Sequence, residues 1–144
     1  MIARNDYLQK LIDRMNNGMI KVVTGIRRCG KSYLLFEIFY NYLLQNGVDK
    51  EHIISLQLDD RMNIRYRDPD FLCEYVHSKI VDEKNYFILL DEVQYVNEFE
   101  DVLISFLHIK NADVYVTGSN AKFLSSDIIT EFRGRGDQIH LSPL

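Results

Sequence analysis

Short apolar runs that lack polar alternation recur along the chain between segments of helical periodicity. The clearest are Met19–Thr24 and Tyr86–Leu90, the second of which reads YFILL. A strand that is apolar on both faces must be covered by helices on both faces, as in a parallel sheet. The runs therefore predict an α/β fold, a three-layer sandwich around a parallel sheet. At 144 residues, we expect one domain spanning residues 1–144.

Hydrophobic periodicity and helix-end signals locate the other elements. Strands are predicted at Met19–Thr24, Ile53–Leu58, Tyr86–Leu90, Val114–Thr117 and Gln138–Leu141. Helices are predicted at Asn5–Met15, Lys31–Asn46 and Ala121–Phe132, and after Asp68 and Asn97. Gly47 suits a left-handed helix terminator, Asp68 suits an N-cap before Pro69, and Asn97 with Glu100 suits a capping box.

Composition excludes some classes of protein. With 17 Lys and Arg against 21 Asp and Glu, the net charge of −4 gives no global attraction to nucleic acid or anionic lipid. No apolar run reaches the roughly 18–20 residues of a membrane helix, and the N-terminus lacks the apolar core of a signal peptide. Cys29 and Cys73 fit no metal-binding spacing. We expect a cytoplasmic protein with no membrane partner.

Between the first strand and the next helix, Gly25–Ser32 matches the pattern G-x-x-x-x-G-K-S/T. Glycines let the backbone curl so that its N–H groups converge on phosphate oxygens, at a helix N-terminus that favours negative charge. Lys31 would reach the β- and γ-phosphates, and the Ser32 hydroxyl would bind Mg²⁺. The alternative is a glycine turn with a solvated lysine. The predicted phosphate-binding residues are Gly25, Ile26, Arg27, Arg28, Cys29, Gly30, Lys31, Ser32 and Tyr33.

Asp91 and Glu92 end the YFILL strand. Asp91 would hold Mg²⁺ through a water molecule, and Glu92 would polarise a water molecule for attack on the γ-phosphate. The alternative is that the pair only caps the next helix. No D-x-x-G follows Asp91 and no N-K-x-D occurs, which favours ATP over GTP. The glutamate beside the metal aspartate favours hydrolysis over phosphoryl transfer to a second substrate.

Two further groups are candidates. Ser119 and Asn120 follow the fourth strand, and Asn120 would orient the attacking water if that strand lies between the first and third strands; an N-cap role is compatible. Arg133 and Arg135 lie in a glycine-flanked segment before the last strand. Either would serve as an arginine finger supplied by a neighbouring subunit; the alternative is that both are ordinary solvated side chains. In the segment Arg61–Arg67, arginines are interleaved with apolar residues. This pattern would suit binding to a nucleic-acid backbone; the alternative is an edge segment whose arginines point into solvent.

Four segments, in this order, resemble one family: KVVTGIRRCGKS, FILLDEVQYVNEFEDVL, VYVTGSNAKFLS and RGRGDQIHLSPL. They are similar to the predicted prokaryotic AAA-type ATPases that carry an uncharacterised C-terminal domain, within the AAA+-type branch of P-loop ATPases. The similarity covers Arg4–Leu144. It implies a five-stranded sheet of order 5-1-4-3-2. It also implies that ATP and Mg²⁺ are bound.

The same resemblance implies roles for individual residues. Lys31 and Ser32 would contact phosphate and metal, Asp91 would be the metal aspartate and Glu92 the catalytic base. Asn120 would be a sensor, and Arg135 an arginine sensor or finger. Relatives continue beyond the final Pro-Leu, so we expect a core truncated before a lid or C-terminal domain. That region would join a second copy or a partner protein.

Three hypotheses for function follow. The first is an ATP hydrolase whose turnover drives a conformational change in an attached domain or partner. The second is an ATP-dependent switch or scaffold with negligible hydrolysis. The third is half of a helicase-like nucleic-acid motor, because the sequence DEVQ resembles the second motif of such enzymes, although the net charge does not indicate nucleic acid.

Overall fold

The computed structural model describes residues 2–26, 28–125 and 128–142 and contains one sheet of five parallel strands. The strands are β1 Ile20–Thr24, β2 Ile53–Gln57, β3 Tyr86–Asp91, β4 Ala112–Gly118 and β5 Gly136–His140. Their spatial order is β2-β3-β4-β1-β5, which is the predicted order 5-1-4-3-2 read from the other edge. All four pairings are parallel, so both the α/β class and the strand order are confirmed.

Helices and short 3-10 turns connect the strands. The helices are α1 Ile2–Asp13, α2 Lys31–Tyr33, α3 Tyr40–Gln45, α4 Pro69–Lys79, α5 Phe99–Phe106, α6 Ala121–Leu124 and α7 Ile128–Glu131. A π-helical segment, Leu34–Phe39, joins α2 to α3 without a break. The 3-10 turns are Lys50–His52, Arg61–Arg67 and Val93–Tyr95. None of the helices in the described parts of the chain is long and apolar enough to cross a bilayer.

Two apolar layers cover the two faces of the sheet. Neighbouring strand residues point to opposite layers: Val22 and Ile88 pack on one side, Val23 and Leu89 on the other. The first layer takes side chains from α4, α5, α6 and α7, and the second from α1, α3 and the π-helical segment. Burial on both faces explains why β1 and β3 lack polar alternation, whereas β2, at one side of the sheet, exposes Ser55 and Gln57.

Two of the predicted helix ends are confirmed. Gly47 follows α3 with φ 91°, a left-handed conformation that glycine adopts without a steric penalty. The Asp68 side chain accepts a hydrogen bond from the Phe71 N–H at 2.9 Å and caps α4 above Pro69.

The predicted capping box at α5 is wrong. Glu98, not Asn97, is the residue before the helix, and its backbone is left-handed with φ 55°. The Glu100 carboxylate accepts from Lys122 Nζ at 2.9 Å. A side chain so engaged is directed toward α6 and not back to the start of its own helix.

The predicted helix Ala121–Phe132 is also wrong, because two short helices occupy this segment. α6 ends at Ser125, whose backbone is extended with ψ 148°, and α7 begins at Ile128; residues 126 and 127 lie outside the described part. Phe123 and Ile128 are both fully buried in the same apolar layer. Five residues apart, they would point about 140° away from each other on one helix, and the break removes this conflict.

A buried polar cluster lies at the amino-terminal ends of β1 and β4. The Lys21 ammonium, on β1, contacts Asp113 Oδ1 on β4 at 2.5 Å, and burial lowers the pKa of Lys21. Asp113 Oδ2 also accepts from the Tyr115 hydroxyl at 2.6 Å and from the Asn16 N–H at 2.8 Å. The carboxylate therefore has three donors inside the protein.

Candidate nucleotide-binding site

The carboxyl ends of three adjacent strands bring the candidate residues to one edge of the sheet. β4 lies between β1 and β3 in the sheet. The loop after β1, the Asp91–Glu92 step after β3 and the turn Gly118–Asn120 after β4 therefore share one edge. Ligands of parallel α/β sheets bind at this edge.

The loop after β1 is closed tightly upon itself. A Cβ added to Gly25 would lie 2.6 Å from Cys29 Sγ and 2.8 Å from Leu141 O, so only glycine fits there. Gly30 is left-handed with φ 103° and directs the chain into α2. Cys29 is buried, so the thiol is not open to modifying reagents. Arg27, one of the predicted phosphate-binding residues, lies outside the described part of the chain.

Other predicted loop residues are at the surface. Ile26 and Tyr33 are 49% and 57% exposed and flank the loop on either side, and Arg28 is exposed with φ 68°. Exposed apolar side chains beside a loop can provide contact area for a bound ligand.

Lys31 lies inside the site and not in solvent. Its side chain is only 3% exposed, and Nζ donates to the carbonyl of Ile26 at 3.1 Å. The same Nζ lies 3.8 Å from Glu92 Oε2. The glycine turn with a solvated lysine is therefore not what the chain forms.

Ser32, in α2, is in direct contact with Asp91, the last residue of β3. Ser32 Oγ donates to Asp91 Oδ2 at 2.5 Å. Thr117 Oγ1, on β4, donates to Asp91 Oδ1 at 2.5 Å and accepts from the Glu92 N–H at 2.8 Å. Burial raises the pKa of Asp91, the Ser32 and Thr117 hydrogen bonds oppose this rise, and the Glu92 charge adds to it.

The Ser32 and Asp91 oxygens fit the ligand preference of Mg²⁺. This ion takes hard oxygen ligands and binds through one or two protein groups while keeping several water molecules. In the described part of the chain, no group of three or more His, Cys, Asp or Glu residues could hold a metal ion. A hydroxyl and one carboxylate beside the predicted phosphate-binding loop therefore suit Mg²⁺ better than a metal that needs an all-protein ligand set.

Glu92 is 7% exposed and stands in a left-handed backbone conformation, with φ 52° and ψ 56°. Oε1 accepts from Ser119 Oγ at 2.7 Å and from Gln94 Nε2 at 2.8 Å. Glu92 precedes the turn Val93–Tyr95, but its side chain makes no capping bond there. A helix cap does not explain this carboxylate.

Ser119, and not Asn120, contacts Glu92. Asn120 Oδ1 accepts from the Phe123 N–H at 3.1 Å and caps α6, as the sequence predicts. A Cβ added to Gly118 would lie 2.2 Å from the Phe123 ring, so the turn after β4 is packed directly on α6. The water-orienting role of Asn120 stays a prediction.

Comparison with known proteins assigns the family. A family model described as "AAA domain" matches residues 17–144. The chain belongs to this family. The matched range contains every strand described above.

Two curated relatives of this AAA domain are uncharacterized proteins. One, from Haemophilus influenzae, is 36% identical over 146 residues, which is 100% of this chain and 36% of the relative. The other, from Methanocaldococcus jannaschii, is 33% identical over 129 residues, 87% of this chain and 26% of the relative. The chain thus spans about a third or less of the curated relatives it matches.

Solved structures share the fold of this AAA domain at low sequence identity. A chain of Drosophila ORC bound to DNA has a TM-score of 0.64 at 11% identity, covering 98% of this chain and 90% of that one. C. elegans PCH-2 has 0.64 at 16%, covering 99% and 40%. AMPPCP-bound DnaA from Aquifex aeolicus has 0.54 at 15%, covering 94% and 44%. Together they show an AAA+ fold.

Arg133 and Arg135 of this AAA domain lie at the other end of β5. The Arg135 carbonyl accepts from the N–H of Ile20, the first residue of β1, at 2.7 Å. The five residues of β5, at about 3.3 Å each, place Arg135 roughly 16 Å from the sheet edge at which the loop after β1 lies. Arg133 Nη2 lies 3.5 Å from Asp101 Oδ1 at the surface. Neither arginine joins the loop of its own chain.

In the segment Arg61–Arg67, two arginines stack on the protein's own rings. The Arg65 guanidinium lies 5.1 Å from the Tyr66 ring centroid, and that of Arg67 lies 4.5 Å from the Tyr95 centroid. Arg67 Nε also donates to Leu58 O at 2.9 Å. These arginines are engaged within the chain.

Thr117 and Gln94 are two site residues that the sequence analysis missed. Thr117 is the last residue of the run VYVT before Gly118, and a small polar residue at the end of a buried strand is a signal that could have identified it. Gln94 follows Glu92 by two residues, a spacing that by itself indicates no contact. The left-handed backbone at Glu92 brings them together.

Proposed function

We propose that this AAA domain binds ATP with Mg²⁺ and hydrolyses it. Membership of the AAA domain family supports nucleotide binding and hydrolysis. The observation that carries the finer proposal is that Lys31 Nζ lies 3.8 Å from Glu92 Oε2, while Ser32 Oγ donates to Asp91, the neighbour of Glu92 in the chain. A cation, a hard oxygen pair and a buried carboxylate are the groups that hydrolysis of a triphosphate requires.

Each group has a defined task. The loop N–H groups and Lys31 bind the phosphate oxygens of ATP. Ser32 and Asp91 hold Mg²⁺, which neutralises charge on the β- and γ-phosphates when bound. Glu92 takes a proton from the attacking water, and two hydrogen bonds to Oε1 fix the position of its carboxylate.

Glu92→Gln tests the base. The amide keeps the shape of the side chain but cannot accept the proton, so we expect ATP affinity within about twofold and hydrolysis slowed about 10²- to 10⁴-fold. The assay is phosphate release from the full-length protein, with a fluorescent-ATP titration beside it. Glu83→Gln, at an exposed position, is the matched control. Phosphate release at the unmodified rate would remove Glu92 from the mechanism.

Lys31→Ala tests the phosphate site. Removing a buried cation that binds phosphate should weaken ATP binding by at least tenfold, since hydrogen bonds to charged groups contribute about 1.5–3 kcal/mol. Lys110→Ala, an exposed position, is the control. An unchanged dissociation constant in the titration would refute the assignment of the loop.

We further propose that hydrolysis is coupled to a conformational change in an attached domain or partner, and that Arg135 acts on the site of a second copy. The roughly 16 Å between Arg135 and the loop edge makes a role within one chain unsuitable. Mixing Arg135→Ala chains with Lys31→Ala chains should restore activity, because one interface then pairs an intact arginine with an intact loop. Arg133→Ala is the control. No recovery on mixing would contradict a role between subunits.

A further inference from the structure

The two oxygens of Glu92 have different environments. Oε1 accepts from Ser119 Oγ at 2.7 Å and from Gln94 Nε2 at 2.8 Å. A carboxylate oxygen has about two acceptor positions, so both positions on Oε1 are occupied. Oε2 lies 3.8 Å from Lys31 Nζ, beyond hydrogen-bond distance. Oε2 is therefore the oxygen that can accept a proton.

The orientation of the Gln94 amide is set by Glu92. If the amide were flipped, its carbonyl oxygen would face the carboxylate oxygen, and two acceptors would oppose each other. With Nε2 toward Glu92, the other amide atom, Oε1, is fully buried. In the part of the chain that is described, it is a buried side-chain polar atom with no hydrogen-bond partner.

A buried acceptor without a partner is unfavourable by about 1–3 kcal/mol. Such groups in native proteins often belong to catalytic sites. Gln94 Oε1 belongs to the amide whose Nε2 donates to Glu92, so the amide keeps this contact although its own oxygen is left buried without a partner.

We infer that Gln94 is a positioning residue for hydrolysis: Nε2 holds Glu92 Oε1 and leaves Oε2 to accept the proton of the attacking water. Ser119 supplies the other donor to Glu92 Oε1. This inference rests on the proposed function, since it assumes Glu92 as the base.

The water oxygen forms a bond to the γ-phosphorus while one water proton moves to Glu92 Oε2. The bond between the γ-phosphorus and the β–γ bridging oxygen breaks, and ADP leaves with the electron pair. The second hydrogen stays on the new phosphate. Glu92 then releases its proton to the phosphate or to solvent.

Gln94→Leu tests the inference, because leucine keeps a similar volume without either hydrogen-bonding atom. In the full-length protein we expect kcat to fall about 10- to 100-fold, with the dissociation constant for Mg²⁺ and ATP within about twofold. Gln138→Leu, a half-buried glutamine on β5 away from Glu92, is the matched control and should leave kcat within about twofold.

Making the same substitution in a protein that already lacks the base distinguishes a positioning role from a purely structural one. In Glu92→Gln protein, where no base remains to be positioned, adding Gln94→Leu should change the single-turnover rate less than about threefold. A loss as large as in the unmodified background would overturn the inference, as would a kcat within threefold of wild type for Gln94→Leu alone. A parallel loss of ATP affinity would also overturn it.

Ser119→Ala and Ser119→Thr keep the inference falsifiable if Gln94→Leu does not fold. Removing the hydroxyl should lower kcat about tenfold at unchanged ATP affinity, and threonine, which keeps it, should restore most of the rate. Equal rates for the two variants would count against the positioning of Glu92. If the unmodified protein does not hydrolyse ATP, the proposed function fails; if it does and Glu92→Gln is inactive, only the Gln94 inference is at stake.

Discussion

Thr117→Val tests how much the hydrogen bonds at the carboxyl ends of β3 and β4 contribute to the stability of the fold. The substitution is nearly isosteric and removes one hydroxyl from the fully buried end of β4. That hydroxyl joins two neighbours at once, as a donor to Asp91 Oδ1 and as the acceptor for the Glu92 N–H. Valine leaves both groups buried without these partners.

The expected loss of stability follows from the two broken bonds. A hydrogen bond to a charged group contributes about 1.5–3 kcal/mol, and a buried N–H left without an acceptor costs about 1–3 kcal/mol. The extra methyl group of valine returns about 0.8 kcal/mol. Because one hydroxyl serves both bonds, we expect a net loss of about 2–4 kcal/mol in the free energy of unfolding.

Urea unfolding followed by circular dichroism measures this loss, with the slope of the transition checked for constancy. At about 3 °C per kcal/mol for a domain of this size, the melting temperature should fall by about 6–12 °C. Thr130→Val, the same substitution at an exposed position of α7, is the control and should change stability by less than about 0.5 kcal/mol. If Thr117→Val matched that control, the Thr117 bonds to Asp91 and Glu92 would not stabilise the fold.

Three further substitutions probe other parts of the fold by the same urea assay. Lys21→Met should lose about 3–5 kcal/mol, because it leaves the buried Asp113 carboxylate without its counter-charge; a loss below 1 kcal/mol would contradict a charged pair. Gly118→Ala should lose more than about 2 kcal/mol, since the new Cβ would lie 2.2 Å from the Phe123 ring, and normal stability would mean that the ring moves freely. Asp68→Ala should lose about 1 kcal/mol with the α4 cap, whereas Asp68→Asn should lose much less; equal losses would place the effect elsewhere.

The strands were predictable because a strand that is buried on both faces has a nearly uninterrupted apolar sequence. Met19–Thr24 and Tyr86–Leu90 lack polar alternation, and the structure places β1 and β3 there, each shifted by one residue at one end. Asp68 was predictable because a cap depends on contacts a few residues away. The strand order, in contrast, followed from the family resemblance and not from the pattern.

The wrong and missed predictions share one physical cause, packing and contacts that the local sequence does not show. Glu100 is engaged by Lys122, which removes the expected capping box. The split of the last helical segment lets Phe123 and Ile128 enter the same core layer. The approach of Ser119 to Glu92 depends on strand order and on one backbone conformation, and neither is visible in local sequence.

The left-handed backbone at Glu92 has a consequence for protein engineering. A non-glycine residue with φ 52° is strained by roughly 1–2 kcal/mol, and asparagine or glycine relieves much of that strain. A library selected for heat resistance alone would therefore favour replacing this glutamate. Its best survivors would be robust chains that have discarded the proposed base, so such a screen must be paired with a turnover assay.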